Sequence, residues 1–203
     1  MSLLDLSSRE LLARFASAEP TPGGGSASAL AGAVGAALVV MVASMPKTRT
    51  GMPQERARLD TARAWATEAL ERLGRLVDDD SAAYQSVVAA FGLPKATETE
   101  KAARKEAIAA GLRRATEVPL DSAEACLVVL RAAVEAAAHG NPNALSDART
   151  AGALGLAGLL GALENVAINL KETDPGAEAT RNKTAALMGE GRQLASTLGL
   201  PLG

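Results

Sequence analysis

The sequence predicts an all-α protein, an antiparallel up-and-down bundle of long helices, and three observations carry that prediction. Ala, Leu, Glu and Arg dominate almost every segment, and runs of β-branched residues are short. Only four aromatics occur, Phe15, Trp65, Tyr84 and Phe91, so a core must be packed by small and aliphatic side chains. Proline, glycine and capping residues fall at intervals that suit helix ends, not strand ends. The 203 residues are read as one domain, 1–203.

The first helix is expected over 3–17. It carries charges at Asp5, Arg9, Glu10 and Arg14 and lacks the basic start and apolar centre of a secretory signal, so a cytoplasmic protein is expected. The second, 22–44, opens in "EPTPGGGSASAL", with Thr21 as N-cap and Pro22 in the first turn. The uncharged run from Gly23 to Met45 has the length of a membrane span. It consists mainly of Ala, Gly and Ser, which favours a helix buried on most sides in a bundle, with no membrane partner. A third helix, 54–91, opens after Pro53. The next, 97–116, has Thr97 and Glu100 as a capping box. Pro119 reads as an early residue of a separate helix, 119–139. "HGN" at 139–141 is a stop with Gly140 at C′, and Asn141–Pro142 caps and opens 142–171. A last helix is expected over 175–198.

Gly152, Gly155, Gly158 and Gly161 recur inside one of these helices, each costing about 1 kcal/mol relative to Ala. Such spacing points to backbones brought close together, by a neighbouring helix or a flat ligand.

Composition narrows the chemistry. Basic and acidic residues nearly balance, 21 against 23, so no nucleic-acid partner is indicated. Cys126 and His139 are single, which leaves no multi-cysteine or multi-histidine set for a metal. Cys126 reads as an inert core thiol, and His139 as a complement to a helix C-terminus.

The three consecutive glycines, Gly23, Gly24 and Gly25, lack the Gly-Lys-Ser/Thr of a phosphate loop and the third spaced glycine of a dinucleotide fingerprint. Free N–H groups at a helix start, with Ser26 following, can still receive an anion or carbonyl. Asp147 and Asn165 are 18 residues apart, about five turns, and share a helix face, with Asn169 one turn on. That stripe serves either interhelical hydrogen bonds or a substrate groove. Asp147 also suits a helix N-terminus by charge alone. In "VDDDSAAY", Asp80 and Tyr84 are helix neighbours, unless Gly74 breaks the helix and the aspartates cap a new one. Lys95 sits in a turn before the Thr97 cap.

Taken together, "PTPGGGSASALAGAVGAALVVMV", "DDDSAAY", "GLPKATETEKAAR", "TEVPL", "GNPNALSDA" and "NVAINLKE" resemble the cyclodeaminase/cyclohydrolase family of folate enzymes, from about Phe15 to Glu172. The resemblance implies an all-helical homodimer with a folate site in a groove at the subunit interface, lined by the glycine-rich helix start. It implies hydrolysis of 5,10-methenyltetrahydrofolate, or alternatively cyclodeamination of formiminotetrahydrofolate with loss of ammonia, and no cofactor or metal beyond the folate substrate. A non-catalytic folate-binding or assembly module, or an enzyme for another cyclic amidine, are further alternatives. With no formiminotransferase segment in the sequence, the cyclohydrolase is preferred. Asp147 and Asp80 are then the expected acid/base pair, with Lys95 as a cation. Asn141, Asn143 and Asn165 would orient water or pterin, and Lys95 and Arg49 would serve as cations either at the site or on the substrate's glutamate tail. One segment departs: where relatives show a Thr, a Gly-Lys or Gly-Arg and an aromatic, this chain has Pro46, Thr48, Arg49 and Met52, retaining only the cation.

Overall fold

A computed structural model describes residues 2–201. Among the described residues there are six α-helices: α1 (Ser8–Phe15), α2 (Gly24–Ser44), α3 (Pro53–Phe91), α4 (Glu98–His139), α5 (Leu145–Asn169) and α6 (Ala177–Thr197). No strand occurs among the described residues. The expected all-α class is what the chain adopts.

Local chemistry sets most boundaries. The first expected helix is divided into a 3₁₀ turn, Leu3–Asp5, and α1, because Ser2 and Ser7 each begin their own capping box, with Asp5 and Glu10. Helix α2 starts at Gly24, not at Pro22; Gly23 is its N-cap and offers no side chain. Helix α3 continues through Gly74, so the aspartates at 78–80 lie mid-helix and cap nothing by breaking it. Thr97 and Glu100 form the expected capping box at the start of α4. Gly140 ends α4 as its C-cap in an extended conformation, φ −71°, instead of the left-handed C′ position. Asn141 caps a 3₁₀ turn, Pro142–Ala144, before α5.

The expectation of separate helices at 97–116 and 119–139 is corrected: α4 runs unbroken through the buried Pro119. A proline ring removes the N–H that would pair with the carbonyl four residues earlier, Ala115. Here the Asn169 side-chain amide, at the last residue of α5, donates to that carbonyl at 2.7 Å. A polar group from another helix therefore offsets the defect that would otherwise end α4.

Helices α2 to α5 form a four-helix ring in which α2 packs between α3 and α5, and α4 closes the far side. Neighbours are antiparallel. The start of α2 meets Asp80 of α3 and Asn165 of α5, whereas its end meets Arg56 and the region before α5. Helix α6 lies outside α4 and α5, with Leu198 against Gly152. The core holds Leu59, Leu73, Leu130 and Leu159 among valines and many alanines. Glycine lets the helices approach: a Cβ on Gly158 would fall 2.6 Å from the Ser28 carbonyl oxygen and 2.7 Å from Cys126 Sγ. Close helix packing thus accounts for the α5 glycines without a ligand.

Two helical stretches, 24–44 and 142–169, have the length and hydropathy of a membrane span, and both contribute to the bundle core. Their outward faces remain apolar. Val34 and Met41 of α2 are 46% and 41% exposed, and Leu160 of α5 is 38% exposed.

Past the Asp80 level α3 runs on through Phe91, about 16 Å of further helix, and turns back as α4. This arm projects beyond the start of α2 and the end of α5. It is held at its tip by Arg104, which stacks over the Phe91 ring and donates to the Phe91 carbonyl at 3.2 Å. Tyr84, Val88 and Phe91 extend the stripe begun by Asp80, on the side that α2 covers lower down, and they are exposed.

Candidate functional site

The side chains singled out in the sequence fall into three regions. The first is the start of α2. The Ser26 N–H and hydroxyl both donate to Asp80 Oδ2, at 2.8 and 3.1 Å. Asp80 therefore caps α2 from a neighbouring helix, which supplies the cap that Gly23 lacks. The Asp80 carboxylate lies directly over Gly25, where a Cβ would overlap it. Burial raises the Asp80 pKa, and the Ser26 hydrogen bonds oppose that rise only in part. Asn165 stands beside Gly24 and donates to the Gly161 carbonyl at 2.8 Å. Gly24 is exposed, and Gly23 and Asn165 are half-buried, so these three can meet a ligand. Ser26 is fully buried with its hydroxyl engaged by Val77 and Asp80, so it acts on the site only through Asp80.

The second region lies at the other end of the bundle. Asp147 occupies the first turn of α5, half-buried, and makes no hydrogen bond or ion pair among the described residues. Asn141 accepts from the Asn143 N–H at 3.1 Å and approaches Met45 Sδ. The loop 46–52 lies against the same end. The Arg49 N–H donates to the His139 carbonyl at 2.9 Å, and its guanidinium reaches the Ala138 carbonyl at 3.4 Å. Arg49 thus caps α4, with no carboxylate partner among the described residues. Arg56 closes the loop from below, donating to the Ala43 and Met45 carbonyls at 2.8 and 2.6 Å.

Lys95 makes the third region, exposed at the tip of the arm. Within one chain these regions do not meet. Asp147 and Asn165 share a face of α5 as the spacing implied, but 18 residues of helix separate them by about 27 Å. Asp80 lies at the Asn165 end, so the expected acid/base pair is not brought together by a single subunit. The expected triad of Asp147, Asp80 and Lys95 is instead strung along the whole length of the molecule.

Sequence reasoning overlooked Glu55. It lies in the first turn of α3, buried, and its carboxylate accepts from Thr48 Oγ1 at 2.7 Å, Thr50 N and Oγ1 at 2.9 Å, and Gly51 N at 3.1 Å. The Thr50 N–H first, with the Thr48 and Thr50 hydroxyls, holds its pKa down to about 2 against the opposing effect of burial. The available signal was an acid two residues after Pro53, in a first helical turn. Among the described residues no group of three or more His, Cys, Asp or Glu is placed to hold a metal ion.

Comparison with known proteins adds a second line. Residues 7–186 match the family model described as formiminotransferase-cyclodeaminase. A methenyltetrahydrofolate cyclohydrolase from Methylorubrum extorquens is 40% identical over 160 residues, covering 79% of this chain and 77% of that protein. The formimidoyltransferase-cyclodeaminase of Rattus norvegicus is 36% identical over 201 residues, and the match spans 98% of this chain but 37% of the rat protein. The crystal structure of a formiminotetrahydrofolate cyclodeaminase from Thermotoga maritima superposes with a TM-score of 0.84 at 25% identity, covering 97% of this chain and 96% of that one.

Proposed function

Because this chain belongs to the formiminotransferase-cyclodeaminase family, we propose that it hydrolyses 5,10-methenyltetrahydrofolate to 10-formyltetrahydrofolate. The observation that carries the reading is the 40% identity to a cyclohydrolase over most of both chains.

The substrate carbon bridges N5 and N10 in a cationic amidinium and is electrophilic before the protein acts on it. Water adds to that carbon and gives up a proton to a carboxylate. The C–N5 bond then breaks, N5 takes a proton, and the carbon stays on N10 as a formyl group. Asp80 suits the proton-accepting role, because burial raises its proton affinity while Ser26 fixes one oxygen. Asp147, half-buried and unpartnered, suits attraction of the amidinium. Asn165, beside the open Gly24, can orient the pterin, and Lys95 can protonate the departing nitrogen.

These groups come together in a homodimer. Two copies packed antiparallel through the apolar faces of α2 and α5 put the Asp147 end of one over the Asp80–Asn165 end of the other. The arm, with its exposed Tyr84, Val88 and Phe91, then reaches along the partner toward its Asp147. No folate is held by one subunit alone in this reading, and the cavity is built between copies in the cytoplasm.

Loss of methenyltetrahydrofolate absorbance on adding the protein, slowed at least a hundred-fold by Asp147→Asn, is the expected result. Unchanged turnover by that variant would remove Asp147 from the mechanism. The likeness to a solved cyclodeaminase over 96% of its length favours a second reading, in which N10 attacks a formimino carbon and ammonia leaves. Ammonia release from formiminotetrahydrofolate, without hydrolysis of the methenyl compound, would select it. Inertness in both assays would leave a non-catalytic folate-binding module.

A further inference from the structure

The loop 46–52 is built around one buried negative charge. Glu55 has no Lys or Arg partner among the described residues. Its charge is balanced by two hydroxyls and two backbone N–H groups of the loop, and by its place at the start of a helix. Four donors converging on one carboxylate close residues 48–55 into a ring. Thr48 and Thr50 flank Arg49, so the ring fixes the backbone on both sides of that guanidinium. The loop, ring residues included, borders an open recess of about 430 Å³ whose lining includes Lys47, Arg49, Met52 and Arg56. The recess carries three cations and no carboxylate, and it shares the Asp147 end of the bundle.

We infer that Glu55 is a positioning residue that holds this basic recess preformed for an anionic group of the substrate, acting through Arg49. This rests on the folate reading for the identity of the substrate, and on the hydrogen-bond ring for the role of Glu55. A flexible loop would have to be ordered on each binding event, and a preformed one is not. A group that acts by preorganising a binding cation affects substrate affinity more than the chemical step.

Steady-state kinetics with methenyltetrahydrofolate should therefore show Glu55→Gln raising KM about ten-fold with kcat within about two-fold. Glu55→Asp should recover part of that loss. Arg49→Ala should raise KM similarly, and adding Glu55→Gln to it should cause no further rise, since the two act in series. Multiplicative effects in the double variant, or a fall in kcat at constant KM, would overturn the inference. Hydrogen exchange reads the clamp without turnover: Glu55→Gln should speed exchange at Thr50 and Gly51 at least ten-fold while α3 and α4 stay protected. Unchanged exchange at those amides would refute the clamp whatever the reaction proves to be. An inactive wild type with the exchange effect intact would instead count against the folate reading alone.

Discussion

Asp80 and Glu55 are both buried or partly buried carboxylates, yet their environments pull in opposite directions. At Asp80 desolvation prevails and the pKa rises; at Glu55 the loop's hydrogen bonds, led by the Thr50 N–H, prevail and it falls to about 2. The linkage signs follow. Folding favours the protonated form of Asp80, so stability from this group is present at low pH and withdrawn as pH climbs through its folded value. Glu55 contributes above its unfolded value of 4.5, and that contribution disappears as pH drops toward about 2. A proton acceptor whose pKa is raised also sets a lower pH limit on activity. Ser26→Ala removes one hydrogen bond that lowers the Asp80 value, so the acidic limb of kcat/KM should move to higher pH. Asp80→Asn should abolish the limb together with most activity, and a profile unmoved by Ser26→Ala would show that another group titrates. Of these relations the sequence displayed only the aspartate cluster and the serine after three glycines. The pairing joins residues 54 positions apart, which no local pattern encodes. Gly25 is likewise explained by the carboxylate above it, and only Gly23 and Gly24 remain open for a ligand.

Among the elements, α4 shows how a helix survives a residue that ordinarily ends it. Pro119 and Asn169 are each unfavourable alone, one for lost backbone pairing and the other for a half-buried amide, and together they satisfy one another at the Ala115 carbonyl. Asn169→Ala should cost about 1–3 kcal/mol by leaving that carbonyl unpaired. In a Pro119→Ala background, where the backbone N–H is restored, the same change should cost well under half as much. Denaturant melts of the four proteins measure the coupling, and equal costs in both backgrounds would disprove it. The 119 boundary was misread because proline is a local signal and its remedy lies on another helix. Thr97, Glu100 and the stop after His139 were legible because capping chemistry is contained within a few residues. Helix α5 was legible in periodicity, the face shared by Asp147 and Asn165 following from five turns of spacing, but nothing local shows that Asp80 lies at the Asn165 end.

At the scale of the whole molecule, the bundle was readable from composition, since a chain so poor in aromatics must nest helices on Ala and Gly. The site was not, because its named residues occupy three places along one subunit. The antiparallel pairing proposed above makes a quantitative forecast. Asp147→Asn and Lys95→Ala proteins, each inactive, should regain about a quarter of wild-type activity when mixed and allowed to exchange subunits, because half the dimers then hold one intact site of two. A mixture that stays inactive would place both residues in the same half-site, and sedimentation as a monomer at micromolar concentration would dismiss the pairing altogether.

Cys126 supplies an instrument for watching the seam between α2 and α5. Its sulfur lies against Gly158 and the Ser28 carbonyl, fully enclosed, with a pKa pushed up to about 12 by burial. An alkylating reagent finds neither an accessible thiol nor a thiolate while the two helices stay nested. Since this is the chain's single cysteine, the rate of its modification reports the openings that part α4 from that seam, with no label or tag to be engineered.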